Sequence, residues 1–325
     1  MMRWMRAALL VCAAATACRV SCAGIDAGGN DDMASGGDDL AGGGGDLACA
    51  CATGCAVLPT PHFLALDPSG PVTAGDYDMP GLGTLSVTAN ITINTDTGAI
   101  MGPPSLMRPA GTGVVNGVGY HLVTQAGRPS VGVFSVAGLT LAAGIKITVT
   151  GMSAFALASA GAVTLNGVVD AACHGMTPGP GGFVGGPSGM DGAGPPEGAG
   201  KGGTNGGAGG AASGGGGGGY GDAGGAGGRI TGASPNGGVP WGDLTAPNFV
   251  LVGGAGGGGG GQPTGGLGGG GGGAVQLSVN GTITVGGTIN VGACGGAKGK
   301  KSTGGGGGGA GGAFVLEAAH VTLTS

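Results

Sequence analysis

The chain has 325 residues, of which 90 are glycine, with charged residues at 8%, aromatic residues at 3% and a formal net charge of −5. Glycine at that density loses much entropy on ordering and buries almost no side chain. Two ordinary globular domains are therefore excluded, and one modest elongated core with long glycine-rich excursions is expected. No basic face is present, which speaks against a nucleic-acid partner.

The N-terminus reads as an export signal. Arg3 and Arg6 precede an apolar run at residues 7–15 that is too short to span a bilayer. Ala15-Thr16-Ala17 before Cys18 satisfies a small-x-small cleavage rule. It also resembles a bacterial lipobox with alanine in place of the usual leucine, so lipidation at Cys18 and ordinary signal-peptidase cleavage both stay open. Residues 1–17 are thus a signal peptide and 18–56 an acidic Gly/Asp tether, whose DDMA, DDLA and DLA steps cannot form a core. Its aspartates lack the spacing of a calcium-binding nonapeptide. The tether ends in Cys49, Cys51 and Cys55. No second Cys or His pair follows at zinc-site spacing and His62 stands alone. In an exported chain a disulfide is then preferred over a metal, with Cys49 and Cys55 as candidates.

Residues 57–130 read as an N-terminal β capping region, with Leu85, Val87, Ile91 and Ile93 as a strand pair. The informative text follows in 131–325. Residues 154–173 read AFALASAGAVTLNGVVDAAC and residues 274–294 read AVQLSVNGTITVGGTINVGAC, aligned at a constant offset of 274 − 154 = 120. A third copy, AFVLEAAHVTLTS, runs from Ala313 to Ser325, where the phrase is unfinished. Apolar residues alternate with small or polar ones between glycines, which means very short strands joined by turns. Phe134/Val136, Leu139/Leu141 and Ile145/Ile147/Val149 continue the pattern upstream as earlier coils. The expected fold is all-β, a right-handed parallel β-helix or β-solenoid in which each copy buries its apolar side on its neighbour. The alternative is a β-sandwich with glycine in its hairpin loops.

Two glycine-rich insertions, 174–273 and 295–312, separate the copies. Between 200 and 227 glycine recurs at every third position, missing only at Ala212. That period fits polyproline II geometry, and a bundle of such strands resembles the glycine-rich antifreeze proteins. A flexible linker is the competing reading. Trp241 and the run Phe249 to Val252 argue mildly for order. Cys173 and Cys294 end the two matched copies, one residue out of phase. Equivalent corners of stacked strands lie about 4.8 Å apart, inside the Cα window of a disulfide. A Cys173–Cys294 bond clamping the neck of the insertion is one expectation, and two separate buried thiols the other.

No motif supplies chemistry. CGGAKGKKST (294–303) resembles a phosphate-binding loop, but Cys294 replaces its first glycine and Lys301 the magnesium-binding hydroxyl. Lys298, Lys300 and Lys301 read as a solvated turn. The histidines 62, 121, 174 and 320 are scattered. Strand positions carry Thr, Ser, Ala and Asn where an acid–base enzyme needs clustered Asp, Glu, Lys or Arg. No catalytic, cofactor-binding or metal-binding residue is assigned, and no cofactor is expected.

The lipoprotein-like signal, the Asp/Gly tether, the Cys cluster and the copies of A-x-x-L-x-x-x-G-x-I-x-I-x-G-x-I-x-V separated by polyglycine resemble exported glycine-rich repeat proteins of bacteria. The chain is similar to PE-PGRS proteins in composition only, since it lacks their helical N-terminal domain. The resemblance implies an outer-membrane or cell-surface lipoprotein, or an extracellular protein. The expected role is non-enzymatic, structural or adhesive, with surface polysaccharide or another envelope component as partner and the membrane touched only through an N-terminal lipid. The alternatives are a carbohydrate-active enzyme and an ice- or polysaccharide-binding glycine-rich protein.

Overall fold

A computed structural model describes residues 8–13, 55–57, 70–195, 198–204, 212–229, 234–242, 250–300 and 303–324. Its strands are β1 (Ala8–Ala13), β2 (Cys55–Val57), β3 (Thr84–Val87), β4 (Ile91–Asn94), β5 (Ile100–Met101), β6 (Gly113–Val115), β7 (Val118–Gln125), β8 (Arg128–Val136), β9 (Gly138–Leu141) and β10 (Lys146–Thr150). They continue with β11 (Ala154–Ser159), β12 (Val163–Leu165), β13 (Val168–Asp170), β14 (Ala274–Val285), β15 (Thr288–Asn290) and β16 (Ala313–Leu323). Two short 3-10 turns, Ala74–Asp76 and Pro104–Leu106, are the helical elements among the described residues. Cys18 and Cys49, with the cleavage site and most of the tether, lie outside the described residues. Cys55 falls in β2, of which only the backbone is described.

The expected β-helix or β-solenoid does not form, and neither does the β-sandwich. Eleven strands make one curled half-barrel sheet, in the order β2-β1-β16-β14-β11-β8-β7-β6 with β12, β9 and β3 joined to it, and a second sheet runs β15-β13-β10-β4-β5. Parallel and antiparallel pairs are mixed. The three copies of the phrase do pair in parallel: Phe155 faces Val275, Val163 faces Ile283, Val169 faces Ile289, and Leu277 faces Leu316. At the flanks, however, β6–β7–β8, β4–β5 and β1–β16 are antiparallel. The physical cause at β6–β7 is local. Asn116 and Gly117 both adopt positive φ, 51° and 77°, the two-residue hairpin turn that matches strand twist. Gly127, at φ 67°, closes the next hairpin, so Phe134 and Val136 enter the sheet from a meander and not from an earlier coil.

The apolar core lies inside the curl. Leu157, Leu277 and Leu316 form a buried row across β11, β14 and β16, flanked by Phe134, Phe155, Leu141, Leu165 and Ile283. Truncating one such leucine to alanine costs about 2–5 kcal/mol, from lost burial and the cavity left behind. The turns at one end hang on Arg108, which is 2% exposed. Its Nε donates to Val118 O, its Nη1 to Gly98 O and Pro109 O, and its Nη2 to Gly111 O and Gly113 O, at 2.7–3.1 Å. All five donors of the guanidinium are thereby met by carbonyls.

The glycine-rich text is an ordered layer, not a linker. Residues 253–261 run through its middle. Gly254, Gly257 and Gly260 donate to Gly272, Gly269 and Gly266, while Gly186 and Gly189 donate to Gly257 and Gly260, all at 2.7–2.9 Å. Gly258 and Gly261 donate to Gly216 and Ser213, and Gly307 and Ala310 reach back to Gly258 and Ala255. Bonds to any one neighbour recur every third residue, and successive residues turn to different neighbours, as a three-residue-per-turn extended strand requires. The glycines at 200, 203, 215, 218, 224 and 227 donate to Gly256, Gly259, Gly305, Gly308, Gly238 and Pro235. A Cβ at each would lie closer than 3.0 Å to a neighbouring backbone carbonyl oxygen or nitrogen.

Candidate binding face

The outer side of the curled sheet carries the most regular array of functional groups in the structure. In β3, β9, β12, β14 and β16 alternate residues enter the core: Leu85, Leu139, Val163, Ile283 and Val321, then Val87, Leu141, Leu165, Val285 and Leu323. The residue between each pair must point outward, because successive side chains alternate across a strand. Those residues are Ser86, Thr140, Thr164, Thr284 and Thr322, each the direct cross-strand partner of the next. They form one unbroken row at about 4.8 Å per step.

Flanking positions extend the row into a lattice. Thr84 and Thr282 stand two residues before Ser86 and Thr284, and Thr88, Asn166 and Thr324 two residues after Ser86, Thr164 and Thr322. Asn166 and Thr324 converge on Gly286, where a Cβ would sit 2.9 Å and 3.0 Å from their oxygens. Ser86, Thr140, Thr322, Thr84, Thr88, Asn166 and Thr324 are exposed, and Thr164, Thr284 and Thr282 half-buried. By contrast, Thr95 bonds Thr150 O and Ser153 O within the fold, and Ser153 bonds Asp96. The row's hydroxyls make no hydrogen bond among the described residues and face water. No Asp, Glu, Lys or Arg occupies these positions, and His320 stands at one corner.

Cys173 and Cys294 are joined by a disulfide, with Cα atoms 5.4 Å apart. The alternative of two separate thiols is thereby corrected. Beside it Asp170 is buried and receives Asn290 Nδ2 at 3.1 Å, Lys146 Nζ at 3.4 Å and His174 Nε2 at 3.2 Å. This single carboxylate ties the ends of β10, β13 and β15 together. A second polar cluster is buried under the outer side of β14 and β16. Ser278 Oγ and Gln276 Nε2 donate to Glu317 at 2.6 Å and 2.9 Å, and Tyr77 Oη donates to Ser278 at 2.9 Å. Burial pushes the Tyr77 phenol well above the usual tyrosine range, and the charges of Glu317 and Asp76 push the same way. The sequence offered little signal for it, since Glu317 sits in an otherwise apolar phrase.

The remaining groups are dispersed. His121 meets Asp76 at 3.4 Å, and His320, Lys298 and Lys300 are exposed. His62 and Lys301 lie outside the described residues. No group of three His, Cys, Asp or Glu side chains is arranged to hold a metal among the described residues. Compared with protein-family models, with curated proteins and with solved structures, the chain matches none.

Proposed function

We propose that the protein is a non-enzymatic, exported surface protein with a structural and adhesive role. The observation that carries this reading is the uncharged hydroxyl row Ser86, Thr140, Thr164, Thr284 and Thr322, built across five strands whose register is fixed by a buried core. A regular array of neutral groups on the outside of a sheet suits contact with an extended partner; catalysis calls for convergent acids and bases in a cleft. The Cys173–Cys294 disulfide supports export, because such bonds persist in oxidising compartments. The glycine-rich layer adds bulk and stiffness.

The test is a sedimentation assay of the purified, oxidised full chain with isolated bacterial envelopes. The wild type is expected to pellet with them, and the double variant Thr140→Lys/Thr284→Lys to stay in the supernatant with unchanged circular dichroism. Equal pelleting of both proteins, or of neither, would reject the reading.

A further inference from the structure

We infer that the hydroxyl row is a binding site for a neutral, extended polysaccharide whose chain lies across the strands, along the line Ser86, Thr140, Thr164, Thr284, Thr322. The inference rests on the adhesive reading above and names its ligand.

The chemistry of the row selects the ligand class. Each hydroxyl both donates and accepts, and so does each sugar hydroxyl, so the match is insensitive to which partner supplies the proton. Asn166 adds an amide with both capacities at the edge of the row. The row holds no ionised side chain, so an acidic glycan, a phospholipid surface or a nucleic acid finds no counter-charge there. Each threonine also carries a methyl group, which offers apolar contact to the C–H faces of pyranose rings.

Geometry adds two arguments. Threonine is branched at Cβ and stiff at χ1, and a strand fixes its backbone, so the array is nearly preorganised and little rotamer freedom is lost on binding. The row is also periodic. Five strands at about 4.8 Å per step give a track of about 19 Å. One step is close to the length of one hexose ring in an extended chain, so the track spans about four rings. No aromatic residue occupies the row's positions among the described residues, so each ring binds weakly and the interaction depends on several steps being engaged together.

The experiment uses the oxidised full chain with microcrystalline cellulose as the solid probe and cello-oligosaccharides of increasing length as soluble competitors. Retention on cellulose is expected, with competition setting in at about four sugar units and absent for the disaccharide. Thr140→Val/Thr284→Val, which keeps shape and removes the hydroxyls, should weaken retention about tenfold or more, since lost hydrogen bonds are not replaced. Thr140→Ser/Thr284→Ser should retain most of it, and Thr288→Lys on the other sheet should leave it unchanged. Retention unaffected by the valine pair would overturn the site. Retention on alginate but not cellulose, or adsorption to ice alone, would overturn the ligand class. Envelope pelleting that depends on Thr140 and Thr284 without any cellulose binding would sink this inference and leave the adhesive reading standing. Loss of both would sink the two together.

Discussion

Adding a single methyl group tests the packed glycine layer directly. Gly257 lies in the central segment, donates to Gly269 O and accepts from Gly186 N, and a Cβ there would lie closer than 3.0 Å to the carbonyl oxygens of Gly307 and Gly308. Its φ is not in the left-handed region, so the obstacle is space and not backbone conformation. All the obstructing atoms are backbone, which cannot swing aside. Gly257→Ala therefore forces two strands apart, at about 1–3 kcal/mol for overpacking, and weakens the Gly257–Gly269, Gly186–Gly257 and Gly307–Gly258 bonds at about 1 kcal/mol each. A loss of about 4–6 kcal/mol corresponds to a fall in Tm of roughly 6–9 °C in a chain of this size. The neighbours Gly227 and Gly228 supply an internal control. A Cβ on Gly227 would strike the carbonyl oxygen of Gly214, whereas around Gly228 nothing lies within 4 Å. Gly227→Ala should destabilise like Gly257→Ala. Gly228→Ala should be neutral or stabilise by about 0.4–1 kcal/mol, because it restricts the unfolded chain at no native cost. Thermal unfolding of the oxidised proteins by circular dichroism and calorimetry reads all three. Equal Tm values for Gly227→Ala and Gly228→Ala would refute the packed layer, since a loose linker treats adjacent glycines alike.

Three further outcomes are expected. Replacing Cys173 and Cys294 with serine releases a closure across 121 residues and should cost about 3–5 kcal/mol on the entropic account, read as a lower urea midpoint; an unchanged midpoint would show that hydrogen bonds alone hold the neck. Arg108→Lys replaces a five-donor fork by three donors and leaves buried carbonyls unmet. It should destabilise by about 2–4 kcal/mol at constant m-value, and a shift below half that would mean the loops find other donors. Burial holds the phenols of Tyr77 and Tyr220 above the usual tyrosine range. A raised folded pKa contributes stability that is intact below the unfolded pKa of about 10 and lost as pH rises through the folded value. Urea midpoints should thus fall from about pH 10 upward, less steeply in Tyr220→Phe; a flat profile in that range would contradict the burial of both rings.

How much of this was legible in the sequence depended on whether the signal was local or periodic. The offset of 120 between the two copies became a real pairing, with Phe155 opposite Val275 and Val169 opposite Ile289. The three-residue glycine register became a row of positions with no space for a Cβ, and the paired cysteines lie at the matched ends of the copies. The curled sheet departs from the expected coil because the Asn116-Gly117 turn is a local hairpin signal that alternation does not carry, and it places Phe134 and Val136 in an antiparallel meander. The hydroxyl row was half-visible. Threonine at outward strand positions could be read from alternation, but the alignment of Ser86 with Thr140 depends on a pairing some fifty residues apart that has no repeat to announce it. Glu317 was invisible as a buried group, since its partners Gln276 and Ser278 lie on another copy.

The insertion and the row are linked by β14. The chain leaves the sheets after β13, passes through the glycine layer and returns at Ala274 to pair with β11 and β12. A one-residue slip on return would turn Thr284 inward and break the row at its fourth member. Loop-closure entropy rises only as the logarithm of length, so a long detour is tolerable provided its two ends are held together. They are held by Gly179 N–H to Gly271 O at 3.0 Å and Ala274 N–H to Pro180 O at 2.7 Å, and beyond β15 the matched copies are tied again by Ala171 N–H to Asn290 O, Cys173 N–H to Gly292 O, the Asn290–Asp170 bond and the Cys173–Cys294 disulfide. The glycine layer then runs directly into the strands, with Ala274 N–H bonded to Pro180 O and Ala313 N–H to Gly273 O. The same neck that closes the detour thereby sets the register of β14, and through β14 that of β16. The unbroken five-strand hydroxyl row is the consequence of that register.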